Sequence, residues 1–150
     1  MLPNTLTMML ESGPVIIKLR HDLAPRHVER VCQLVAEGFY DGAPFGRVTP
    51  QFLAQVKLPG RSAYPDLPAE FSDLRHVRGL CLMARGVDPD SANAEFFILT
   101  NAAAFTPCQY TIWGEVRYGM ELLDALPDGD PPAHPERIVT MRAADWNMGN

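Results

Sequence analysis

In the sequence Phe45-Gly46-Arg47-Val48-Thr49-Pro50-Gln51-Phe52-Leu53-Ala54-Gln55, two short β-prone runs lie close together. The runs, residues 45–48 and 52–55, predict two adjacent strands. Between them they carry one arginine, two aromatic rings and one amide, which the strands can direct into a common apolar pocket. The segment contains no paired acid and base. This combination favours chemistry in which no covalent bond breaks and no proton moves.

Further strand candidates surround this pair on both sides. They are residues 5–10, 15–19, 80–84, 96–100, 112–116 and 137–142. The first two are separated by Ser12-Gly13-Pro14, which predicts an opening hairpin. Most consecutive strands are joined by loops rather than by crossover helices, and this predicts antiparallel pairing.

Two helices are predicted among the strands. The first begins near Pro25, carries apolar residues at helical spacing and ends before Gly38. The second covers residues 119–126 and is ended by Pro127-Asp128-Gly129-Asp130. Because the strands outnumber the helices, we predict a mainly β fold, an antiparallel closed barrel or sandwich with helical plugs.

Length and charge limit the classes of function. With 150 residues and 47% hydrophobic content, the chain can bury one ordinary core, so we predict a single domain over residues 1–150. The net charge of -5 argues against binding a phosphate backbone, which requires clustered Lys and Arg. No basic residue precedes Lys18, and the early apolar runs are too short for a signal sequence or a membrane span. We therefore expect a cytoplasmic protein that binds neither nucleic acid nor a membrane.

The cysteines and histidines do not form a metal-binding pattern. The three cysteines are Cys32, Cys81 and Cys108, an odd number without CxxC spacing, so free thiols are expected. The four histidines are scattered and have no i,i+4 or HxH partner. We predict no metal site.

Blocks of distinctive sequence follow one another along nearly the whole chain. They are Gly38-Phe39-Tyr40-Asp41-Gly42 leading into Phe45-x-Arg47, Phe52-Leu53-Ala54-Gln55, Tyr64-Pro65-Asp66-Leu67-Pro68-Ala69-Glu70-Phe71, Met83-Ala84-Arg85 followed by Asp90-Ser91-Ala92-Asn93-Ala94-Glu95-Phe96-Phe97-Ile98, and Gln109-Tyr110-Thr111-Ile112-Trp113-Gly114-Glu115-Val116. In this order they resemble the cyclophilin-type peptidyl-prolyl cis-trans isomerases, in particular small single-domain bacterial members. The resemblance implies a closed eight-stranded antiparallel β-barrel capped by two α-helices, in agreement with the pattern of strands and helices. It also implies an isomerase that needs no cofactor.

The resemblance further implies which residues bind a prolyl peptide. The proline pocket would be lined by Phe52, Leu53, Phe97, Phe105 and Tyr110. The substrate chain would meet the backbone near Ala84 and Asn93, and the binding set also includes Gln55 and Glu95. Under strict strand alternation Phe52 points away from Gln55, so its place in the pocket rests on the resemblance or on a local bulge.

Arg47 is the candidate catalytic residue. Rotation about a prolyl bond is slow because amide resonance imposes a barrier of about 18–20 kcal/mol. A guanidinium can donate a hydrogen bond to the prolyl nitrogen once twisting has taken its lone pair out of resonance, and Arg47 keeps its charge near neutral pH. Gln55 shares a strand face with Leu53 and can offer its amide to the substrate backbone or to Arg47. The alternative is that Arg47 is only a structural ion-pair partner.

Several positions depart from the family pattern and are expected to weaken activity. Gly46 stands where the family commonly has histidine, Tyr110 replaces a pocket histidine, and Glu95 replaces the signature glutamine. A carboxylate beside Arg47 could hold it in an ion pair and offset the charge presented to the prolyl nitrogen. The opposite role stays open, because such a pair could orient Arg47 productively. Phe105 replaces a frequent tryptophan and lacks its indole N–H donor.

Three functions remain open on these grounds. The first is an isomerase acting, as a monomer, on proline-containing peptides or unfolded protein chains. The second is a binding module of the same fold that keeps the proline groove without useful catalysis. The third is an unrelated small barrel for an apolar ligand, which would make the resemblance accidental.

Strand alternation predicts that the ring of one of Phe96 and Phe97 packs in the core while the other faces a groove. Trp113 is also expected to be buried in the core.

Overall fold

The computed structural model describes residues 2–103 and 108–144, and within them it contains eight β-strands and two α-helices. The strands are β1 (Thr5–Leu10), β2 (Gly13–Leu19), β3 (Phe45–Thr49), β4 (Leu53–Val56), β5 (Leu80–Met83), β6 (Phe96–Leu99), β7 (Ile112–Tyr118) and β8 (Ile138–Ala144). The helices are α1 (Pro25–Ala36) and α2 (Met120–Asp124). A mainly β fold with two helices, as the sequence predicts, is confirmed.

All eight strands belong to one antiparallel sheet in the order β3-β4-β6-β5-β7-β2-β1-β8. A flat sheet of this size would hold its end strands more than about 30 Å apart. Here the Phe45 N–H donates to the Glu136 carbonyl at 2.9 Å and the Ile138 N–H to the Ala43 carbonyl at 2.9 Å, so the sheet is strongly curled. In the described chain β3 and β8 do not pair as a ladder, and the residues just before them form an isolated bridge between Pro44 and Arg137, so closure of the barrel is not confirmed.

The sheet separates two apolar clusters because successive residues point to opposite faces. Phe96 is fully buried in the main core, where its ring packs edge-on against Tyr40 and Trp113. Phe97 belongs to the second, smaller cluster on the other face, with Leu53 among its neighbours. The predictions that Trp113 is buried and that the two phenylalanines divide between core and groove face are confirmed.

Helix α1 covers one side of the main core and receives its N-terminal cap from a distant loop. Pro25 begins the helix, and Ala24 before it provides no side-chain cap. Instead the carboxylate of Glu70 accepts hydrogen bonds from the backbone N–H groups of Arg26 at 3.1 Å and His27 at 2.8 Å. A carboxylate at this position satisfies free amide groups and interacts favourably with the helix dipole. Glu70 also accepts a bond of 2.6 Å from Nδ1 of His27.

Helix α2 is shorter than predicted and begins one residue later. Gly119 precedes it with a φ of +93°, outside the helical region. A Cβ there would lie 2.5 Å from the Pro14 carbonyl oxygen, so the sequence needs glycine where the chain turns past β2.

All three cysteines are free thiols, and burial raises the pKa of Cys32 to about 11. Across the described residues, no helix is long and apolar enough to cross a membrane and no three potential metal ligands converge.

Folding stability is expected to fall as the pH drops below about 6.5, the ordinary pKa of histidine. Burial lowers the pKa of His27, whose side chain is fully buried, and the Glu70 carboxylate only partly opposes this. Protonation would also place an N–H at Nε2, which has no partner in the described chain. The unfolded state therefore binds this proton more tightly than the folded state does. The stabilisation contributed by neutral His27 is complete above the pKa of histidine in the unfolded chain, and it is lost as the pH falls below that pKa.

Urea unfolding should give a free energy of unfolding that is about 1–2 kcal/mol lower near pH 5 than near pH 7. A substitution of the exposed His134 by glutamine provides the matched control, because it should leave the pH dependence unchanged. A stability that is constant or rises on acidification would contradict the burial of a neutral His27.

Candidate functional site

A groove of about 290 Å³ lies on the outer face of β4, β5 and β6. Its lining consists of Arg47, Phe52, Leu53, Gln55, Ala84, Arg85, Phe97 and Tyr110. The strand register explains how distant residues come together: Arg47 pairs with Gln55, and Gln55 pairs with Phe97. Directly paired residues share a face of the sheet, so these three side chains form one row. Seven of the residues predicted from the sequence therefore lie around one groove, together with Arg85, which was not predicted.

The apolar floor of the groove joins buried strand residues to half-buried rings. Leu53 and Phe97 are 4% exposed each, and the Tyr110 ring meets Phe97 edge-on with 5.1 Å between centroids. Phe52 lies in the turn before β4, where its N–H donates to the Thr49 carbonyl at 3.1 Å. Because Phe52 precedes the regular strand, alternation does not govern its direction, and its ring can share the groove with Leu53.

Arg47 stands over this floor with 43% of its side chain exposed. Its Nε lies 3.9 Å from Oδ2 of Asp130, an exposed carboxylate in the loop before β8. Asp130 was not predicted as a neighbour, because nothing in the sequence relates the two positions. At this distance the contact is a weak ion pair that leaves the guanidinium available to a ligand.

Gly46 next to Arg47 is explained by Lys57, which follows the end of the neighbouring strand β4. A Cβ on Gly46 would lie 2.6 Å from Cγ and 2.7 Å from Cβ of Lys57. The pairing of β3 with β4 also shifts between Phe45 and Arg47, which is a local bulge. The missing side chain at position 46 thus makes room for the lysine stem.

The ion pair between Glu95 and Arg47 that the sequence left possible is not formed, because Arg47 lies beside Asp130 and Glu95 beside Lys57. The Glu95 carboxylate instead accepts hydrogen bonds from Gln55 Nε2 at 3.2 Å and from the Leu58 N–H at 3.0 Å, and it lies 3.7 Å from Nζ of Lys57. The resemblance identifies position 95 as one where the family has glutamine, but it does not give the direction of the Glu95 side chain. The nearby Lys57 attracts the carboxylate, and Arg47 does not. Glu95 therefore holds Gln55 and the start of the following loop.

We expect Glu95→Gln to change kcat/KM for a prolyl peptide by less than about twofold. The carboxylate is already balanced by Lys57, and an amide oxygen at position 95 can still accept one of the two hydrogen bonds, which in Glu95 end on separate oxygens. The measurement is isomerase activity of wild type and variant on one peptide. A gain of tenfold would show that the Glu95 charge still reaches the reacting bond.

A second depression of about 370 Å³ adjoins the groove. It is lined by Gln55, Lys57, Gly60, Arg61, Ala84, Arg85, Gly86, Ser91, Asn93, Ala94 and Glu95. The side chain of Asn93 is buried and holds the loop that carries Ser62 and Tyr64: its Oδ1 accepts from the Ser62 N–H at 2.8 Å, and its Nδ2 donates to the Tyr64 carbonyl at 3.0 Å. Asn93 and Glu95, predicted as part of one site, thus line this second depression.

Arg85 was missed because it follows Met83-Ala84 without any charged or aromatic neighbour in the sequence. Its guanidinium carbon lies 5.2 Å from the Tyr110 ring centroid, and its Nε donates to the Gln109 carbonyl at 2.9 Å. Phe105, predicted for the proline pocket, lies outside the described residues.

A larger cleft of about 700 Å³ lies between helix α2 and the turn after β3 that carries Pro50 and Gln51. Arg78 crosses it and donates to both Asp124 carboxylate oxygens, at 2.7 and 2.6 Å. Its described lining contains no aromatic ring. The smaller groove supplies three aromatic rings, from Phe52, Phe97 and Tyr110, on which a prolyl ring can pack, so it is the better candidate site.

Comparisons with known proteins identify the family of this chain. Residues 5–144 match the family model described as cyclophilin type peptidyl-prolyl cis-trans isomerase/CLD. A probable peptidyl-prolyl cis-trans isomerase of Brucella suis biovar 1 is 44% identical over 157 aligned residues, covering 91% of this chain and 80% of that protein. The isomerase CYP23 of Arabidopsis thaliana is 36% identical and covers 79% of this chain and 57% of its own length.

Solved structures support the same fold. A cyclophilin from Hirschia baltica superposes with a TM-score of 0.87 at 22% identity, covering 94% of this chain and 74% of that one. A cyclophilin type isomerase from Cryptosporidium parvum, solved in the presence of the dipeptide Ala-Pro, superposes with a TM-score of 0.85 at 21% identity, covering 93% of this chain and 98% of that one. With this fold and the match of 140 consecutive residues, from 5 to 144, the chain belongs to the cyclophilin-type peptidyl-prolyl cis-trans isomerases.

Proposed function

We propose that the protein accelerates cis/trans rotation of Xaa-Pro bonds in peptides and unfolded chains, with Arg47 as the catalytic residue. The observation that carries the proposal is the row formed by Arg47, Gln55 and Phe97 over an apolar floor. No carboxylate, cysteine or histidine belongs to the described lining of this groove. The site therefore suits bond rotation rather than bond cleavage, which needs a nucleophile or an acid–base pair.

Catalysis would come from an interaction that strengthens as the amide twists. In the planar substrate the prolyl nitrogen shares its lone pair with the carbonyl and is a poor acceptor. In the twisted state the lone pair is localised, and the Arg47 guanidinium can donate to it. An interaction that is stronger in the transition state raises the rate rather than merely tightening binding.

The apolar floor would hold the proline ring while the preceding carbonyl turns. Phe52, Leu53, Phe97 and Tyr110 offer a surface that fits a small apolar ring, and Phe105 remains a predicted member of it. Gln55 has two N–H donors and a carbonyl acceptor, of which one donor is used by Glu95. The remaining groups can bind the backbone of the substrate and fix its position in the groove.

NMR exchange spectroscopy on a short Xaa-Pro peptide tests this function. Catalytic amounts of protein should produce cis/trans exchange cross-peaks that are absent from the peptide alone. Saturable chemical-shift changes without exchange would instead identify a binding module. The absence of both effects would reject the groove as a prolyl site.

The expectations of a cytoplasmic monomer that does not bind nucleic acid stay predictions.

A further inference from the structure

Arg85 stands where the groove and the second depression meet. Three residues, Gln55, Ala84 and Arg85, line both. The Arg85 guanidinium packs between the rings of Tyr110 and Phe71, with its central carbon 5.2 and 5.8 Å from their centroids. Its Nε donates to the Gln109 carbonyl at 2.9 Å and its Nη1 to the Gly86 carbonyl at 3.1 Å. The side chain is thus fixed in place before any ligand binds.

The positive charge of Arg85 differs from the other cations around the site. Arg47 lies beside Asp130, Lys57 beside Glu95, and Arg61 forms a close ion pair with Asp66. Within the described chain, Arg85 has no carboxylate within ion-pair distance. Its Nη2 also makes no hydrogen bond to the described residues. The local surplus of positive charge is therefore located at Arg85.

We propose that Arg85 gives the protein a preference for chains with an Asp or Glu side chain within two residues of the proline. The inference rests on the proposed function, because it places the proline in the adjoining groove. A guanidinium presents a rigid fork that matches a carboxylate, and here its orientation is already fixed by the two rings. Less side-chain entropy is then lost when the carboxylate binds.

The other groups of the site cannot supply a preference for acidic peptides. Arg47, Lys57 and Arg61 each have a carboxylate within ion-pair distance, and the net charge of the whole chain is -5, which disfavours acidic peptides at long range. A preference for an acidic residue must therefore come from a short-range contact. Such a contact is partly exposed, so it should weaken at high salt.

The test uses a set of proline peptides that differ only by Glu or Gln at one of four positions, the two before and the two after the proline. For wild type we expect a kcat/KM ratio, Glu over Gln, of about fivefold at one or more positions at low salt. Arg85→Gln should bring this ratio to about one, and Arg85→Lys should keep part of it. The ratio cancels any general loss of activity caused by the altered packing on Tyr110.

Arg26→Gln is the matched control, because it removes the same charge from an exposed position on α1 that lines neither depression. It should leave the wild-type ratio unchanged. Activity on the Gln peptides with a ratio near one at all four positions would overturn the inference and leave the proposed function intact. A ratio that survives in Arg85→Gln would overturn the role of Arg85, whereas no acceleration of any peptide would reject the proposed function.

Discussion

Replacing Arg47 by alanine is expected to lower kcat/KM for an Xaa-Pro peptide by about 100-fold, the size of effect seen when one preorganised donor to a transition state is removed. The apolar floor stays in place, so peptide binding should weaken far less than the rate. The fold should also remain, because the side chain is 43% exposed and its ion contact with Asp130 is 3.9 Å long. The measurement combines exchange spectroscopy with peptide titration and thermal unfolding.

Two further variants sharpen this result. Arg47→Lys keeps the charge but loses the planar fork, so it should recover only part of the lost activity. Arg26→Ala removes an exposed arginine outside the groove and should behave as wild type. If Arg47→Ala kept more than about a fifth of the activity, where removal of a preorganised donor predicts a far larger loss, the guanidinium would not be the source of the acceleration.

The substitution Glu70→Ala is expected to lower the free energy of unfolding by about 3 kcal/mol, combining the loss of a helix cap with an unsatisfied buried donor. Three hydrogen bonds end on this carboxylate: two come from the first backbone amides of α1, and one comes from the buried His27 ring. Alanine leaves the His27 Nδ1 donor without its acceptor inside the protein. Urea unfolding at pH 7 gives the difference directly.

The matched control for this effect is Glu29→Ala, on the same helix but exposed. It should change stability by less than about 0.5 kcal/mol, as is usual for surface substitutions. Glu70→Gln keeps an acceptor oxygen and loses the charge, so its cost should fall between the two. A Glu70→Ala protein within about 0.5 kcal/mol of wild type, the range of a surface substitution, would show that water replaces the carboxylate as the cap of α1.

The parts of the fold that depend on local pattern could be predicted from the sequence. Alternation separates Phe96 from Phe97, and apolar spacing together with Pro25 identifies α1. The row of groove residues follows from strands whose approximate positions the sequence reveals. These features depend on neighbouring residues and on the period of the backbone, both of which are present in a linear chain.

Features that depend on distant partners could not be predicted in the same way. Glu95 binds Lys57 and Gln55 rather than Arg47, and only the packing of the following loop determines this choice. Asp130 reaches Arg47 from a loop more than eighty positions away along the chain. Closure of the barrel is a property of the whole sheet, and the end strands approach each other at one bridge without forming a full ladder.

The division of the sheet into two faces has a consequence for how this protein can change over evolutionary time. In the four-residue strands β4 and β6, residues that fill the core alternate with residues that face the groove. A substitution at a groove position can therefore alter specificity while the core-facing neighbours keep the strand anchored. Specificity depends on the groove positions and folding on the core positions, and the two sets alternate along the same short strands. Specificity can therefore drift while folding is maintained.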